Sequence, residues 1–179
     1  RIPDLPVALS GGKPATLGDF AGHWLVLYFY PKDHTPGCTT ESMQFRDKHK
    51  EFLKAGAVVF GVSRDNMVSH EKFKQALDLP FELIADTEEK MCHMFGVVKN
   101  KIMYGKKVKG IERSTFLIDA SGVLRAEWRG LKVAGHVEFT RDGRYALASL
   151  WEDDGALIVY DATTLREVKR LPMRKPVGK

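Results

Sequence analysis

One stretch constrains the fold more than any other. The run Trp24-Leu25-Val26-Leu27-Tyr28-Phe29-Tyr30 passes directly into Pro31-Lys32-Asp33-His34-Thr35-Pro36-Gly37-Cys38-Thr39. Seven apolar or aromatic residues without polar alternation read as a strand covered on both faces. The Pro/Gly-punctuated stretch after it is a loop. A helical pattern then begins near Cys38 and continues to about Lys54, where Ala55-Gly56 closes it. Thr35 is the candidate N-cap, and Pro36 takes the first helical position, where a missing N–H costs nothing. Strand, loop and helix together deliver a cysteine to the first turn of a helix. Backbone N–H groups there lack intrahelical partners, and the helix dipole presents positive charge. Such a place favours the thiolate, the reactive form of the side chain.

The remaining pattern supplies a sheet for that strand. Residues 3–20, broken by Ser10-Gly11-Gly12, read as a small strand or hairpin with Pro14-Ala15-Thr16-Leu17 as its second arm. On the helix after Cys38, Phe45, His49, Phe52 and Leu53 share the cysteine's face. Ala57-Val58-Val59-Phe60-Gly61-Val62-Ser63 is a second buried strand. A helix over 67–77 turns Val68, Phe73, Ala76 and Leu77 inward, and Pro80 stops it. Residues 81–85 make a third strand, and 88–95 a short helix carrying Cys92. Residues 99–110 are a basic loop or edge strand, and 113–119 with 123–128 form a hairpin. This order argues for an α/β fold with a mixed central sheet and helices on both faces.

Composition narrows the function. The 179 residues, 44% hydrophobic and 28% charged, suit one globular domain of ordinary size, or one domain with a small appendage. No run approaches the length of a membrane span, so no membrane partner is expected. The net charge of +5 is mild. Its densest cluster, Lys99, Lys101, Lys106, Lys107 and Lys109, comes without a recognition motif, so nucleic acid is not an expected partner. The two cysteines, Cys38 and Cys92, cannot make a disulfide framework and form no CxxC. The six histidines contain no HxxxH pair. Neither a metal nor a cofactor is expected. The chain opens at Arg1 without a methionine, as it would if a preceding piece had been removed or left out, and no signal-peptide pattern remains. Sparse cysteines and the lack of a signal favour the cytoplasm, with the periplasm as the other reading.

The spacing Pro31-xxx-Thr35-xx-Cys38 resembles the active-site signature of the peroxiredoxins. The string YFYPKDHTPGCTTES, followed by Phe45-Arg46-Asp47, is similar to the peroxiredoxin Q or bacterioferritin comigratory protein subfamily. Gly96-Val97, the Lys-rich loop and Glu112-Arg113-Ser114-Thr115-Phe116-Leu117-Ile118-Asp119 continue the likeness, which covers residues 1–136. The resemblance implies a thioredoxin-like fold and reduction of hydrogen peroxide or alkyl hydroperoxides. It implies that Cys38 is the peroxidatic cysteine and that Thr35 hydrogen-bonds thiolate and peroxide. Arg113 would hold thiolate and peroxide oxygen, and Pro31 would shield the pocket. The reductant would be thioredoxin, glutaredoxin or a small thiol. His34 reads as a residue at the pocket rim rather than an acid–base group.

Two departures from that pattern matter. Many members of the subfamily carry a resolving cysteine five positions after the peroxidatic one, and here that residue is Met43. Cys92 is the other candidate resolving residue; its bland reading is a buried helix residue, which leads to a single-cysteine cycle served by an external thiol. Beyond residue 136 a subfamily member would run into a C-terminal helix, yet residues 137–179 change character. Strand-like runs separated by Asp142-Gly143, residues 152–155 and Asp161-Ala162-Thr163-Thr164 resemble one blade of a haem-d nitrite reductase propeller. One blade cannot close a propeller, and no haem-ligating motif is present. The expectation is a blade-like β-meander fused to the peroxiredoxin domain; the rival is a helix over 145–150. The meander gives a monomer or weak self-association through this segment. Two other functional readings stay open: a catalytically weakened thioredoxin-fold scaffold whose C-terminal segment binds a partner, and a peroxide sensor.

Overall fold

A computed structural model of the protein describes residues 1–103, 106–130, 134–139, 144–150, 156–164 and 166–172. It falls into two compact units, Arg1–Leu131 and Lys132–Lys179. The first opens with an antiparallel hairpin, β1 (Pro6–Ala8) and β2 (Pro14–Thr16), and a single 3-10 turn at Leu17–Phe20. Then follow β3 (Trp24–Phe29), α1 (Pro36–Asp47), α2 (His49–Lys54), β4 (Ala57–Ser63), α3 (Met67–Leu77), β5 (Leu83–Ala85) and α4 (Lys90–Met94). The stretch read as a basic loop or edge strand is strand: β6 (Val98–Met103) and β7 (Lys106–Ile111) pair antiparallel. It leads to β8 (Ser114–Ile118) and β9 (Leu124–Trp128).

The central sheet has the order β5-β4-β3-β8-β9. β3, β4 and β5 are parallel, whereas β8 and β9 are antiparallel, so the sheet is mixed and β3 lies at its centre. Because side chains alternate along a strand, the apolar run of β3 feeds two cores. Leu25, Leu27 and Phe29 join Phe60, Val62, Phe116, Ile118, the N-terminal hairpin and α4 on one face. Val26, Tyr28 and Tyr30 join Val59, Phe73, Leu83 and Cys38 on the other, under α1 to α3. This is the thioredoxin-like arrangement. Gly61 of β4 leaves room for the side chains of the strands on either side of it: a Cβ there would come within 2.6 Å of the Tyr28 ring on β3 and 2.8 Å of Leu83 on β5.

Three local expectations need correction. The helix after Cys38 is two helices, because Lys48 leaves helical geometry between them. Leu53 is exposed, and the α1 face that Cys38 shares contains Glu41 and Ser42 instead. On α3, Val68 is 60% exposed and Ala76 is exposed too, while His70 and Phe73 point inward. Val68 leaves the inward face to His70 because His70 finds polar partners inside.

The second unit is an antiparallel meander of β10 (Ala134–Phe139), β11 (Tyr145–Leu150), β12 (Ala156–Asp161) and β13 (Glu167–Pro172), in that spatial order. Residues 145–150 are therefore a strand, not a helix. β10 starts at Ala134, so Gly135 and His136 belong to the meander rather than to the end of the first unit. Asp161 Oδ1 accepts from the amides of Thr163 and Thr164 and orders the turn read there. The Asp142-Gly143 pair, the turn at 152–155 and the 175–179 tail lie outside the described residues. Among the described residues no helix is long and apolar enough to cross a membrane.

Candidate active site

Cys38 sits in the first turn of α1 and is 1% exposed. Pro36 contributes no N–H, and the first amide engaged within the helix is that of Thr39, which donates to the Thr35 carbonyl. Thr35 has the extended backbone of an N-cap, but its hydroxyl does not cap the helix. It donates instead to the Lys32 carbonyl at 2.9 Å, folding the loop back on itself. The early amides of α1 are thereby left without a side-chain cap, and the positive end of the helix stays open beside Cys38.

Arg113 reaches this point from the link between β7 and β8. Its Nη2 lies 3.5 Å from Cys38 Sγ, and its Nη1 donates to Glu41 Oε2. Both ends of that ion pair are largely buried. Burial opposes the guanidinium's charge, yet Glu41 and Cys38 more than offset it and push the pKa of Arg113 up. Burial pushes the Glu41 carboxyl up to about 7, with Arg113 holding it back only in part. α1 is fixed beneath this cluster by Ser42, whose hydroxyl lies 3.0 Å from the Tyr28 hydroxyl on β3. The Tyr28 ring stacks on Phe45 one turn further along. Cys38, Glu41, Ser42 and Phe45 follow the i, i+3, i+4, i+7 spacing of one helix face.

Of the sequence candidates, the structure brings Cys38 and Arg113 into contact. It puts Thr35 at the helix entrance and Pro31, half-buried, at the start of the loop. It does not bring Cys92 to them. Cys92, on α4, belongs to the core on the opposite face of the sheet from Cys38. Its thiol is driven well above the ordinary range, first by burial and then by the Asp86 carboxylate. His34 packs edge-on against Phe73 of α3, with ring centroids 5.1 Å apart. Glu41 escaped the sequence reading. The available signal was its spacing: three residues after a helix-start cysteine, on the same helix face.

The AhpC/TSA family model matches residues 1–127. A model of the cytochrome D1 heme domain matches residues 104–179, less than half of the chain. Among curated relatives, peroxiredoxin Bcp of Xanthomonas campestris pv. campestris is 54% identical over 135 residues, 75% of this chain and 84% of that protein. Peroxiredoxin Bcp of Bacillus subtilis is 50% identical over 137 residues, 76% of this chain and 87% of that protein. Among solved structures, the X. campestris bacterioferritin comigratory protein, studied for alkyl peroxide reduction in trapped intermediate/ligand complexes, superimposes with a TM-score of 0.70 at 54% identity. That match covers 74% of this chain and 84% of that one. A helix-start cysteine facing a buried arginine on this mixed sheet, with identity of that extent, means that the chain belongs to the AhpC/TSA family, among the peroxiredoxins of the Bcp or peroxiredoxin Q kind.

Proposed function

We propose that the protein is a thiol-dependent peroxidase that reduces hydrogen peroxide and alkyl hydroperoxides at Cys38. The observation that carries this is the Arg113 guanidinium 3.5 Å from Cys38 Sγ at an uncapped helix N-terminus. The thiolate attacks one peroxide oxygen in line. An S–O bond forms, the O–O bond breaks, and the departing oxygen leaves as an alkoxide that takes up a proton. Arg113 and the open amides of α1 meet that developing negative charge. Thr35, whose one hydroxyl hydrogen goes to the Lys32 carbonyl rather than to the Cys38 sulfur as the resemblance implied, still has a lone pair to accept a hydrogen bond from the peroxide O–H. Cys38 becomes a sulfenic acid, the first step of cysteine oxidation. The same intact cluster weighs against a silent scaffold.

The cycle closes with an external thiol. That thiol attacks the Cys38 sulfenic sulfur and expels water, and a second thiol then releases Cys38 and leaves as disulfide. Cys92 is not suited to this step: it is fully buried, across the sheet, and its thiolate is disfavoured. A disulfide needs Cα atoms within about 7 Å. One equivalent of peroxide is therefore expected to add one oxygen atom to the Cys38 peptide in mass spectra, reversed by a small dithiol. Cys92→Ala is expected to turn over at the wild-type rate. A stoichiometric Cys38–Cys92 disulfide would end the single-cysteine reading. Thioredoxin, glutaredoxin and a small thiol compared as donors in the same assay would identify the reductant class, and a cytoplasmic setting suits all three.

We infer that the second unit is a blade-like appendage fused to the peroxidase. β13 lies at the edge of its sheet, with Val168 and Leu171 exposed. Open edges invite pairing, although Lys169, Arg170 and Pro172 on the same strand oppose it. Weak, concentration-dependent self-association is expected in light scattering; a clean monomer at high concentration would remove the idea.

A further inference from the structure

The loop between β3 and α1 is gripped from below by a buried ion pair. Asp33, 3% exposed, has carboxylate oxygens 3.0 and 3.2 Å from Nδ1 of the fully buried His70 on α3. The same carboxylate accepts from the Tyr30 hydroxyl at 2.8 Å and from the Ser69 hydroxyl at 2.7 Å. Nε2 of His70 lies 3.1 Å from the Ile84 carbonyl of β5. A carbonyl and a carboxylate only accept, so His70 is the donor in both contacts. Burial works against the charge on Asp33, but the bonds from His70, Ser69 and Tyr30 hold its carboxyl below the usual range. The Asp33 amide in turn donates to Asp65 Oδ2 at 2.9 Å. The next residue, His34, has a left-handed φ of 58° and leans on Phe73 of the same helix.

We propose that the Asp33–His70 pair is a positioning device for peroxide attack: it fixes the Pro31–Thr35 loop, and through it Thr35 and the start of α1, in the geometry that the reaction at Cys38 needs. A buried ion pair adds little net stability compared with apolar residues of the same size, so stability alone does not account for it. A left-handed, non-glycine residue persists only where its surroundings over-determine it. Here Asp33 is bonded at both carboxylate oxygens and at its amide, and His34 is packed. Lys32, whose carbonyl orients the Thr35 hydroxyl, directly precedes Asp33. The chain from α3 to the nucleophile therefore runs through contiguous bonds. The proposal rests on the peroxidase reading above.

The test compares two reactions of Cys38 in wild type and Asp33→Asn: oxidation by hydrogen peroxide and alkylation by iodoacetamide. Alkylation needs only an accessible thiolate, whereas peroxide reduction also needs an oriented O–O bond. The variant is expected to lose roughly ten- to a hundredfold in the peroxide rate while its alkylation rate stays near that of wild type. Equal losses in both reactions, or no loss in either, overturn the positioning role. If Asp33→Asn does not fold, Ser69→Ala decides instead. It removes one of the hydrogen bonds that hold the carboxylate against His70 and so loosens the pair. A smaller loss confined to peroxide supports the proposal, and unchanged peroxide kinetics overturn it. A wild type inert to peroxide overturns the peroxidase reading and this inference with it; a reactive wild type matched by the variants overturns this inference alone.

Discussion

Cys38→Ser is expected to lose peroxide turnover by at least about a thousandfold while remaining folded. The two halves of this expectation have separate causes. Chemistry is lost because a serine hydroxyl in this site remains protonated and has no soft sulfur to form an S–O bond. Nothing else described near Arg113 can take its place: Cys92 is buried across the sheet, with its thiol held protonated. The fold is kept because oxygen and sulfur differ little in size, and the new hydroxyl can accept from the Arg113 guanidinium that faced Cys38 at 3.5 Å. The Arg113–Glu41 pair does not depend on the substituted atom. Stability should change by no more than about 1 kcal/mol. Peroxide consumption in the presence of a small dithiol, together with a denaturant midpoint, measures both. A serine variant that consumes peroxide at the wild-type rate would remove Cys38 from the mechanism.

How much of this was legible in the sequence depends on the range of each interaction. The strand–loop–helix unit around Cys38 was legible because its signals are local: an unbroken apolar run, then Pro36 and Gly37 ahead of a helical pattern. The two-sided burial of β3 follows from the same run, and the structure divides it between the two cores. The inward face of α3 was misread because apolar residues were assumed to face the core. Val68 faces solvent, while His70 turns in toward an aspartate 37 residues earlier and a carbonyl on the next strand. Glu41 and Ser42 were missed for the same reason: a polar side chain on a helix is taken for a solvated one unless its buried partner is known. Arg113, 75 residues after Cys38, could be assigned only through the family resemblance. In residues 137–179 the alternation and turn signals favoured a meander, and its strands pair in that order.

The arginine and its carboxylate should separate chemistry from stability. Arg113→Met removes the group that meets the charge on the departing oxygen, and a loss of about 10²–10³ in the peroxide rate is expected. Glu41→Gln keeps the guanidinium beside Cys38 and loosens only its anchor, so its loss should be smaller. Stability should respond to pH with a definite sign. The folded state raises the Glu41 carboxyl from its ordinary 4.5 to about 7. Folded protein therefore binds this proton more tightly than unfolded protein does. The resulting stability is fully present below about pH 4.5 and is lost as the pH rises through 7. Between pH 5 and 8, wild type should lose up to roughly 2 kcal/mol relative to Glu41→Gln, whose amide does not titrate. Arg113→Met should behave in the opposite sense from a simple cavity. Near pH 5 Glu41 is protonated in wild type and variant alike, and the cost is mainly lost packing. At pH 8 the variant must either bury an unpaired carboxylate, at about 3–5 kcal/mol, or hold a proton against the solvent. Its deficit against wild type should therefore grow with pH. Denaturant midpoints of the three proteins at pH 5 and pH 8 give the comparison, and a deficit for Arg113→Met that is flat across that range would show that Glu41 does not depend on this arginine for its charge.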